Sequence, residues 1–403
     1  MKYIVLIPDG SADEPRDELG GKTPLQAAAT PNMDRLASKG TVGLAHTIPA
    51  GFPPGSDVAN MCVLGYDPHL YYTGRAPLEA ASLDINLPGD SIAFRCNLVY
   101  IEDGVMRDFS AGHITTAEAG ELILFLEENL GGADAAFHTG LSYRHILVSK
   151  GKALGAKCTP PHDISGKQIA GFMPREEGSD WIKNLMEASA ALLPEHPVNL
   201  KRVSEGKSPA NMIWLWGQGK APSMPTMTER FGLTGSVISA VDLVKGLGKY
   251  AGLKVVDVPG ATGWLDTDYA AKGRYALKEL DSVDFVYVHV EAPDEASHSG
   301  DTAAKVTAIE RFDAELVGTI LEGLSEWPEH RILIVPDHAT PISIKTHNDE
   351  PVPFLVYEPG RTGDSGYTFD EESAAGGERV FEQGWQLMEW FLGNKSAGTQ
   401  ALR

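Results

Sequence analysis

The chain has 403 residues, 42% hydrophobic and 22% charged, a composition that excludes wholesale disorder and leaves room for two domains with separate cores. A formal net charge of −21 argues against a nucleic-acid or anionic-membrane partner, because a phosphate-rich surface needs a positive footprint. The cysteines Cys62, Cys96 and Cys158 are odd in number and lack C-x-x-C spacing, so buried thiols in a reduced, cytoplasmic setting are expected rather than a disulfide framework.

Along the chain, Tyr3 to Ile7 has strand composition and breaks at Pro8-Asp9-Gly10. Five apolar residues are too few for a signal-peptide core, and nowhere do 18 run together, so a soluble, non-exported protein is expected. Thr30-Pro31-Asn32 can start a helix ending near Lys39-Gly40, and Ser56-Asp57 opens a second one toward Leu64-Gly65. Residues from about 76 to 230 change character: strand-like runs at Ser91–Tyr100 and His145–Ser149, a helical Glu118–Leu130 and Pro-Gly punctuation give no βαβ repeat. This stretch reads as an inserted domain, with residues 1–75 and 231–403 forming a discontinuous core and two connections that could hinge. Gly206-Lys207-Ser208 lacks the upstream glycine of a P-loop, with Lys201 in its place; Gly246, Gly248 and Gly252 miss dinucleotide spacing by one residue.

The last third restores the alternation. Val283–Val290 breaks just before Glu291-Ala292-Pro293-Asp294, with His298 four residues beyond Asp294. Val306, Ile309, Phe312, Leu316, Ile320 and Leu324 mark an amphipathic helix, and Ile332–Val335 then breaks at Pro336-Asp337-His338. That is a βαβ unit, and its apolar stripe is better read as core packing than as a partner-binding face.

Three apolar runs therefore end in acids. The carboxyl ends of parallel strands share one edge, so Asp9, Asp294, His298, Asp337, His338 and His347 can converge there. Oxygen and imidazole donors without a thiolate suit Zn, Mn or Mg. With Ser56 the donors exceed what one small ion takes, and they divide between two ions, the arrangement that clamps both oxygens of a phosphoryl displacement. Asp294 and His298 can share one helical face, while the adjacent Asp337 and His338 can each serve a different ion. The bland alternative is that such acids are helix N-caps, and Ser56 likewise a cap after Gly55 rather than a nucleophile.

These residues carry a resemblance. Ile7-Pro8-Asp9-Gly10, Pro54-Gly55-Ser56-Asp57-Val58-Ala59-Asn60-Met61, Leu64-Gly65-Tyr66-Asp67-Pro68, Trp214-Leu215-Trp216-Gly217-Gln218-Gly219, Pro259-Gly260-Ala261-Thr262-Gly263 and the ligand loops resemble the cofactor-independent phosphoglycerate mutases of archaeal type, within the alkaline phosphatase superfamily. The resemblance spans nearly the whole chain. It implies an α/β, three-layer core with a mostly parallel sheet and an inserted α+β lid domain. It also implies interconversion of 3- and 2-phosphoglycerate through a phosphoserine at Ser56, without a 2,3-bisphosphoglycerate requirement. Asp294, His298 and His347 would hold one Mn, Mg or Zn ion, and Asp9, Ser56, Asp337 and His338 the other. The insert would supply the glycerate contacts: His113 as acid–base residue, Arg144 as carboxylate clamp, and His162 and Asp163 as a binding loop, with Lys220 beside them. Where longer members place a pair of arginines, this chain has Trp216-Gly217-Gln218-Gly219-Lys220.

Other readings need other chemistry. A homoserine kinase-like phosphotransferase would require a nucleotide site, and a metal-dependent phosphomonoesterase would hand the same phosphate to water. A non-catalytic metal-binding protein would never form phosphoserine. The expected partner is a small phosphorylated acid, and the native metal and homo-oligomer formation stay open.

Overall fold

The computed structural model describes residues 1–360 and 365–393. The chain divides into Met1–Tyr72 with Met224–Arg403 (unit 1) and Thr73–Ser223 (unit 2). The return to unit 1 comes earlier than residue 231, because Thr226 opens a capping-boxed helix, Met227–Phe231, whose first N–H bonds Ala251 O at 2.8 Å.

In chain order the strands are β1 (Lys2–Pro8), β2 (Thr41–Ala45), β3 (Ser91–Glu102), β4 (Val105–Asp108), β5 (Ala135–Leu141), β6 (Arg144–Lys150) and β7 (Met212–Gly219). They continue with β8 (Gly235–Ile238), β9 (Lys254–Val255), β10 (Phe285–Val290), β11 (His330–Ile334), β12 (Val352–Tyr357) and β13 (Arg379–Phe381). Unit 1 is built on the sheet β13-β2-β12-β11-β1-β10-β8-β9, parallel except where β12 runs antiparallel to both its neighbours. The expected mostly parallel α/β core is thus present, and its central strands are buried on both faces, as a parallel sheet under helices requires. On one face Ile4, Leu6, Val286, Val288, Ile332 and Ile334 pack into one core. Each such side chain contributes roughly 1.5–3 kcal/mol on burial.

The register places the site. Leu6 pairs with Ile334 and Pro8 with Val290, so β11, β1 and β10 end side by side and release their acids at the same edge. β10 and β11 are not themselves neighbours; β1 lies between them, so the expected βαβ unit steps across one strand.

The long amphipathic stretch is not one regular helix. Thr302–Arg311 passes through a π-helical turn, Phe312–Val317, into Gly318–Gly323. The wider turn keeps Phe312, Leu316 and Ile320 buried while Asp313 takes the backbone N–H of Met33 at 2.7 Å and of Asn32 at 3.2 Å. Asp313 thereby caps the helix Pro31–Lys39, whose own Thr30 makes no capping bond.

Unit 2 has the antiparallel sheet β4-β3-β6-β5, with β7 on the other side of β3. The helix Thr116–Leu130 starts in a Thr115/Glu118 capping box and buries Leu122, Ile123 and Leu126 in a core shared with Phe94, Leu98 and Trp214.

Candidate metal centre

Asp9 follows β1 directly and is fully buried. The next residue must be glycine on two counts: Gly10 has φ +61°, and a Cβ there would lie 2.5 Å from Thr340 Oγ1 and 2.6 Å from Asp294 Oδ1. The Asp9 loop therefore passes against the other two ligand-bearing segments.

The first set of donors sits on the helix Ala292–Ser299 and the loop beyond β11. His298 Nε2 is 3.1 Å from Asp294 Oδ2 and 3.1 Å from His347 Nε2, and His347 Nε2 is 3.5 Å from Asp294 Oδ1. Donors about 2.0–2.2 Å from one ion stand about 3.0–3.5 Å apart, so these separations match those of donors that could share an ion. His298 Nδ1 lies 2.9 Å from the Lys345 carbonyl, a partner that only N–H can satisfy, so Nε2, which faces Asp294 and His347, is the nitrogen that would bind an ion on losing its proton. Burial works against charge on both partners, yet their mutual hydrogen bonding outweighs it. Asp294 is held well below the usual carboxylate range, and His298 rises to about 9.

The second set gathers around Ser56. Gly55 is the N-cap of the helix Ser56–Val63, so Ser56 occupies the first helical position and is not the cap it could have been. Its Oγ lies 3.1 Å from His338 Nε2. That nitrogen is 3.4 Å from Asp337 Oδ2 and 3.7 Å from Asp9 Oδ1. Asp337 and His338, although adjacent, thus approach one another, while the groups that could hold an ion divide them, Asp337 with Asp9 and His289, and His338 with Asp9 and Asp294. The cause is a tight backbone: the N–H groups of Gly10 and His338 both bond Asp337 Oδ1, at 3.2 and 2.9 Å. Asn60, one helical turn beyond Ser56, bonds Asp337 Oδ2 at 2.7 Å and the Ser56 carbonyl at 2.9 Å, and is itself held by the Tyr287 hydroxyl at 2.6 Å.

Electrostatics make the centre costly without a cation. Burial, reinforced by Asp337, Glu291 and Asp294, pushes Asp9 well above the usual carboxylate range, and burial pushes Glu291 up to about 8. Burial also lowers His289 and His338 to about 4, leaving both imidazoles neutral. Asp9 Oδ1 and Oδ2, His289 Nε2 and Glu291 Oε2 are buried without a hydrogen-bond partner among the described residues, although His289 Nε2 approaches Asp9 Oδ2 to 2.9 Å. Close polar atoms that do not bond one another are what a cation between them would satisfy. Converging groups that could hold an ion are Asp294-His298-His347, Asp9-Asp294-His338 and Asp9-His289-Asp337. Oxygen and neutral nitrogen donors fit a hard or borderline divalent ion.

His289, Thr340 and the fully buried Lys272 escaped the sequence analysis, and Glu291 and Asn60 stood only inside its motifs, without a role at the site. Lys272 donates to the His289 carbonyl at 2.9 Å, and burial lowers it to about 8. The alternation along β10 could have flagged His289, since an imidazole on a strand buried on both faces needs a partner. Lys272, on the inner face of the helix Tyr269–Leu280, offered a similar signal.

The remaining candidates lie in unit 2. His113 is exposed with φ +49°, its N–H bonded to Ser110 Oγ at 3.2 Å. Arg144 is exposed, 5.6 Å from the Tyr143 ring. His162 stands edge-on to Trp216 at 5.3 Å, with Asp163 at 3.6 Å from its Nε2; Lys220 is exposed and its carbonyl accepts from Thr73 Oγ1. Arginines do reach Trp216, but from other elements. Arg95 on β3 is 4.4 Å from the ring and Arg75 6.0 Å, and both Nε atoms are 2.9 Å from Glu79. Burial opposes the Glu79 charge, and Arg95 and Arg75 overcome it, holding the carboxylate below its ordinary value.

Comparison with known proteins gives concordant matches. Residues 37–199 match the family model described as 2,3-bisphosphoglycerate-independent phosphoglycerate mutase. The chain is 55% identical over 381 residues to the protein of that name from Methanosarcina barkeri, covering 94% of this chain and 96% of the relative. The PH0037 protein of Pyrococcus horikoshii superposes with TM-score 0.83 at 30% identity, covering 97% of each chain. The cofactor-independent phosphoglycerate mutase of Thermoplasma acidophilum gives TM-score 0.65 at 28% identity, over 98% of this chain and 100% of the other.

Proposed function

The chain belongs to the 2,3-bisphosphoglycerate-independent phosphoglycerate mutases, and from that membership and the donor geometry we propose that it interconverts 3- and 2-phosphoglycerate through a phosphoserine at Ser56. The observation that carries the reading is the approach of Ser56 Oγ to 3.1 Å from His338 Nε2, inside a ring of buried carboxylates and imidazoles. In this reading Asp9, Ser56, Asp337 and His338 hold one divalent ion, Mn, Mg or Zn, and Asp294, His298 and His347 the other. Bound there, the ions neutralise phosphate charge and favour the Ser56 alkoxide.

The chain's own groups then act in sequence. Ser56 Oγ attacks phosphorus, the bond from phosphorus to the glycerate oxygen breaks, and that oxygen takes a proton. After the glycerate reorients, its other hydroxyl loses a proton and attacks phosphoserine, and Ser56 is restored. His113 is our candidate for the proton carrier, and its exposure leaves its ring free to reach substrate. Arg144, His162, Asp163 and Lys220 are candidate substrate contacts within unit 2. Arg75 and Arg95 beside Trp216 supply the guanidinium groups that the run Trp216–Lys220 lacks. A cytoplasmic setting belongs to the same reading and is supported by free thiols at Cys62, Cys96 and Cys158; no helix among the described residues is long and apolar enough to cross a membrane.

The test is phosphorus NMR of purified, metal-loaded protein given 3-phosphoglycerate and no bisphosphoglycerate. Approach to a mixture of the two monophosphates is expected. Release of inorganic phosphate alone would make the protein a phosphomonoesterase, and an unchanged spectrum would remove the catalytic reading.

A further inference from the structure

The two donor sets meet through a hydroxyl that belongs to neither. Thr340 is fully buried, and its Oγ1 donates to Asp294 Oδ1 at 2.6 Å. The same oxygen lies 3.1 Å from His338 Nδ1. Because the hydroxyl proton is committed to Asp294, the contact with His338 requires Nδ1 to carry the hydrogen and the threonine oxygen to accept it. The imidazole is then fixed in one tautomer, with Nε2 bare and directed at Ser56 Oγ and Asp9.

Thr340 is also held on both sides by its backbone. Its N–H bonds Ala12 O at 3.1 Å, and its carbonyl accepts from Lys305 Nζ at 3.0 Å. Lys305 is fully buried and donates as well to Asp13 Oδ2 at 2.8 Å, and Asp13 in turn accepts from Ile342 N at 3.2 Å. One buried ammonium thus ties the loop after β1 to the loop after β11 and fixes where Thr340 stands.

We propose that Thr340 is a positioning residue that couples the two ion sites, its hydroxyl simultaneously orienting Asp294 in one donor set and setting the His338 tautomer in the other, with the buried Lys305–Asp13 pair as its anchor. The inference rests on the two-ion reading above. A donor shared in this way makes the sites interdependent: disturbing the hydroxyl weakens both, whereas a change at His347 acts first on its own set.

The experiment compares Thr340→Val, nearly isosteric without the hydroxyl, with Thr340→Ser, which keeps it. Mn titration with elemental analysis after gel filtration reads affinity and stoichiometry. Nitrogen-15 spectra of histidine-labelled, metal-free protein read the His338 tautomer. Expected for Thr340→Val is Mn binding weakened about 10–100-fold at both sites and loss of the pure Nδ1–H tautomer, with Thr340→Ser close to wild type. Two Mn ions bound with wild-type affinity by Thr340→Val would overturn the proposal. So would equal losses in both variants, which would assign the effect to the fit of the side chain as a whole rather than to its hydroxyl. Should wild-type protein fail to bind a pair of ions, the two-ion reading falls and with it the coupling, whereas the nitrogen spectra would still decide whether Thr340 sets the tautomer.

Discussion

Asn60→Ala puts the architecture of the centre to its sharpest test, because this side chain touches no proposed ion and yet holds much of the second donor set. Asn60 is fully buried, donating to Asp337 Oδ2 and the Ser56 carbonyl and accepting from the Tyr287 hydroxyl. Truncation removes a charge-assisted bond of about 1.5–3 kcal/mol and a neutral one of about 1 kcal/mol, and it strands a buried hydroxyl at about 1–3 kcal/mol. A total near 5 kcal/mol follows, reduced if water enters the space, and a melting temperature lower by about 10–20 °C for a unit of this size. Asp337 loses its side-chain orientation at the same time, so metal affinity should fall about 10–100-fold. Calorimetry and Mn titration on the purified variant measure both. Tyr287→Phe supplies the control: its own cost should be about 1 kcal/mol, and the double variant should be less destabilised than the sum, because the stranded hydroxyl is then gone. A loss under about 1 kcal/mol with unaltered Mn binding would refute the reasoning, since the bonds described here would then contribute nothing to the site.

Exhaustive chelation should abolish turnover and lower the melting temperature, both reversed by Mn, as elemental analysis and thermal scans would register; full activity without metal contradicts the centre. Ser56→Ala should keep its fold and bind at least one ion yet never acquire phosphate from substrate, a loss that intact-protein mass spectrometry would detect. Arg144→Ala should reduce mutase turnover and raise the ratio of free phosphate to 2-phosphoglycerate, because losing a charge-assisted clamp of about 1.5–3 kcal/mol speeds glycerate escape; an unchanged rate would leave Arg144 a surface residue. Gly10→Ala should lose metal and stability together, since the added Cβ meets Thr340 and Asp294 at a backbone angle that alanine adopts only under strain, and wild-type melting would show that the loop yields.

What could be read in the sequence was the part governed by period and by strand ends. The runs before Asp9, Glu291 and Asp337 are strongly apolar over four residues or more, and in a parallel sheet that pattern leaves few placements for the acids that follow. Helix starts at Pro31 and Ser56 were legible from proline and glycine chemistry. The π turn at Phe312–Val317 was not, because the hydrophobic spacing on either side reads as one continuous stripe, and the extra residue shows only when Asp313 is seen to cap a helix distant in sequence. Asn60, Thr340 and Lys305 were invisible for the same kind of reason. Asn60 and Lys305 meet partners hundreds of residues away in the chain, Thr340 joins Asp294 to His338 only once two loops are packed together, and nothing local distinguishes the three from ordinary polar residues. Tyr287 and His289 illustrate the intermediate case. Alternation puts both on one face of β10, but which polar group each meets depends on the packing of other elements.

The supporting shell also explains why so much charge can sit at one sheet edge. Asp9, Asp294 and Asp337 are almost wholly buried with Glu291 close by, an arrangement that self-repulsion would open if the loops were free. They are not free. Ala339 bridges to Ser11, Ala12 and Asn348, Lys305 joins the Asp9 and Asp337 loops, and Thr340 ties Asp294 to His338. The cross-links consist of backbone bonds, one neutral hydroxyl and one internally compensated ion pair, so they hold the donors in place without neutralising them. In the two-ion reading that charge is left for the cations to compensate, and none of the bonds that gather it involves a metal cation. Metal binding should then stabilise a site that is already largely shaped rather than create it, which is the condition for precise placement of Ser56 Oγ against an incoming phosphate.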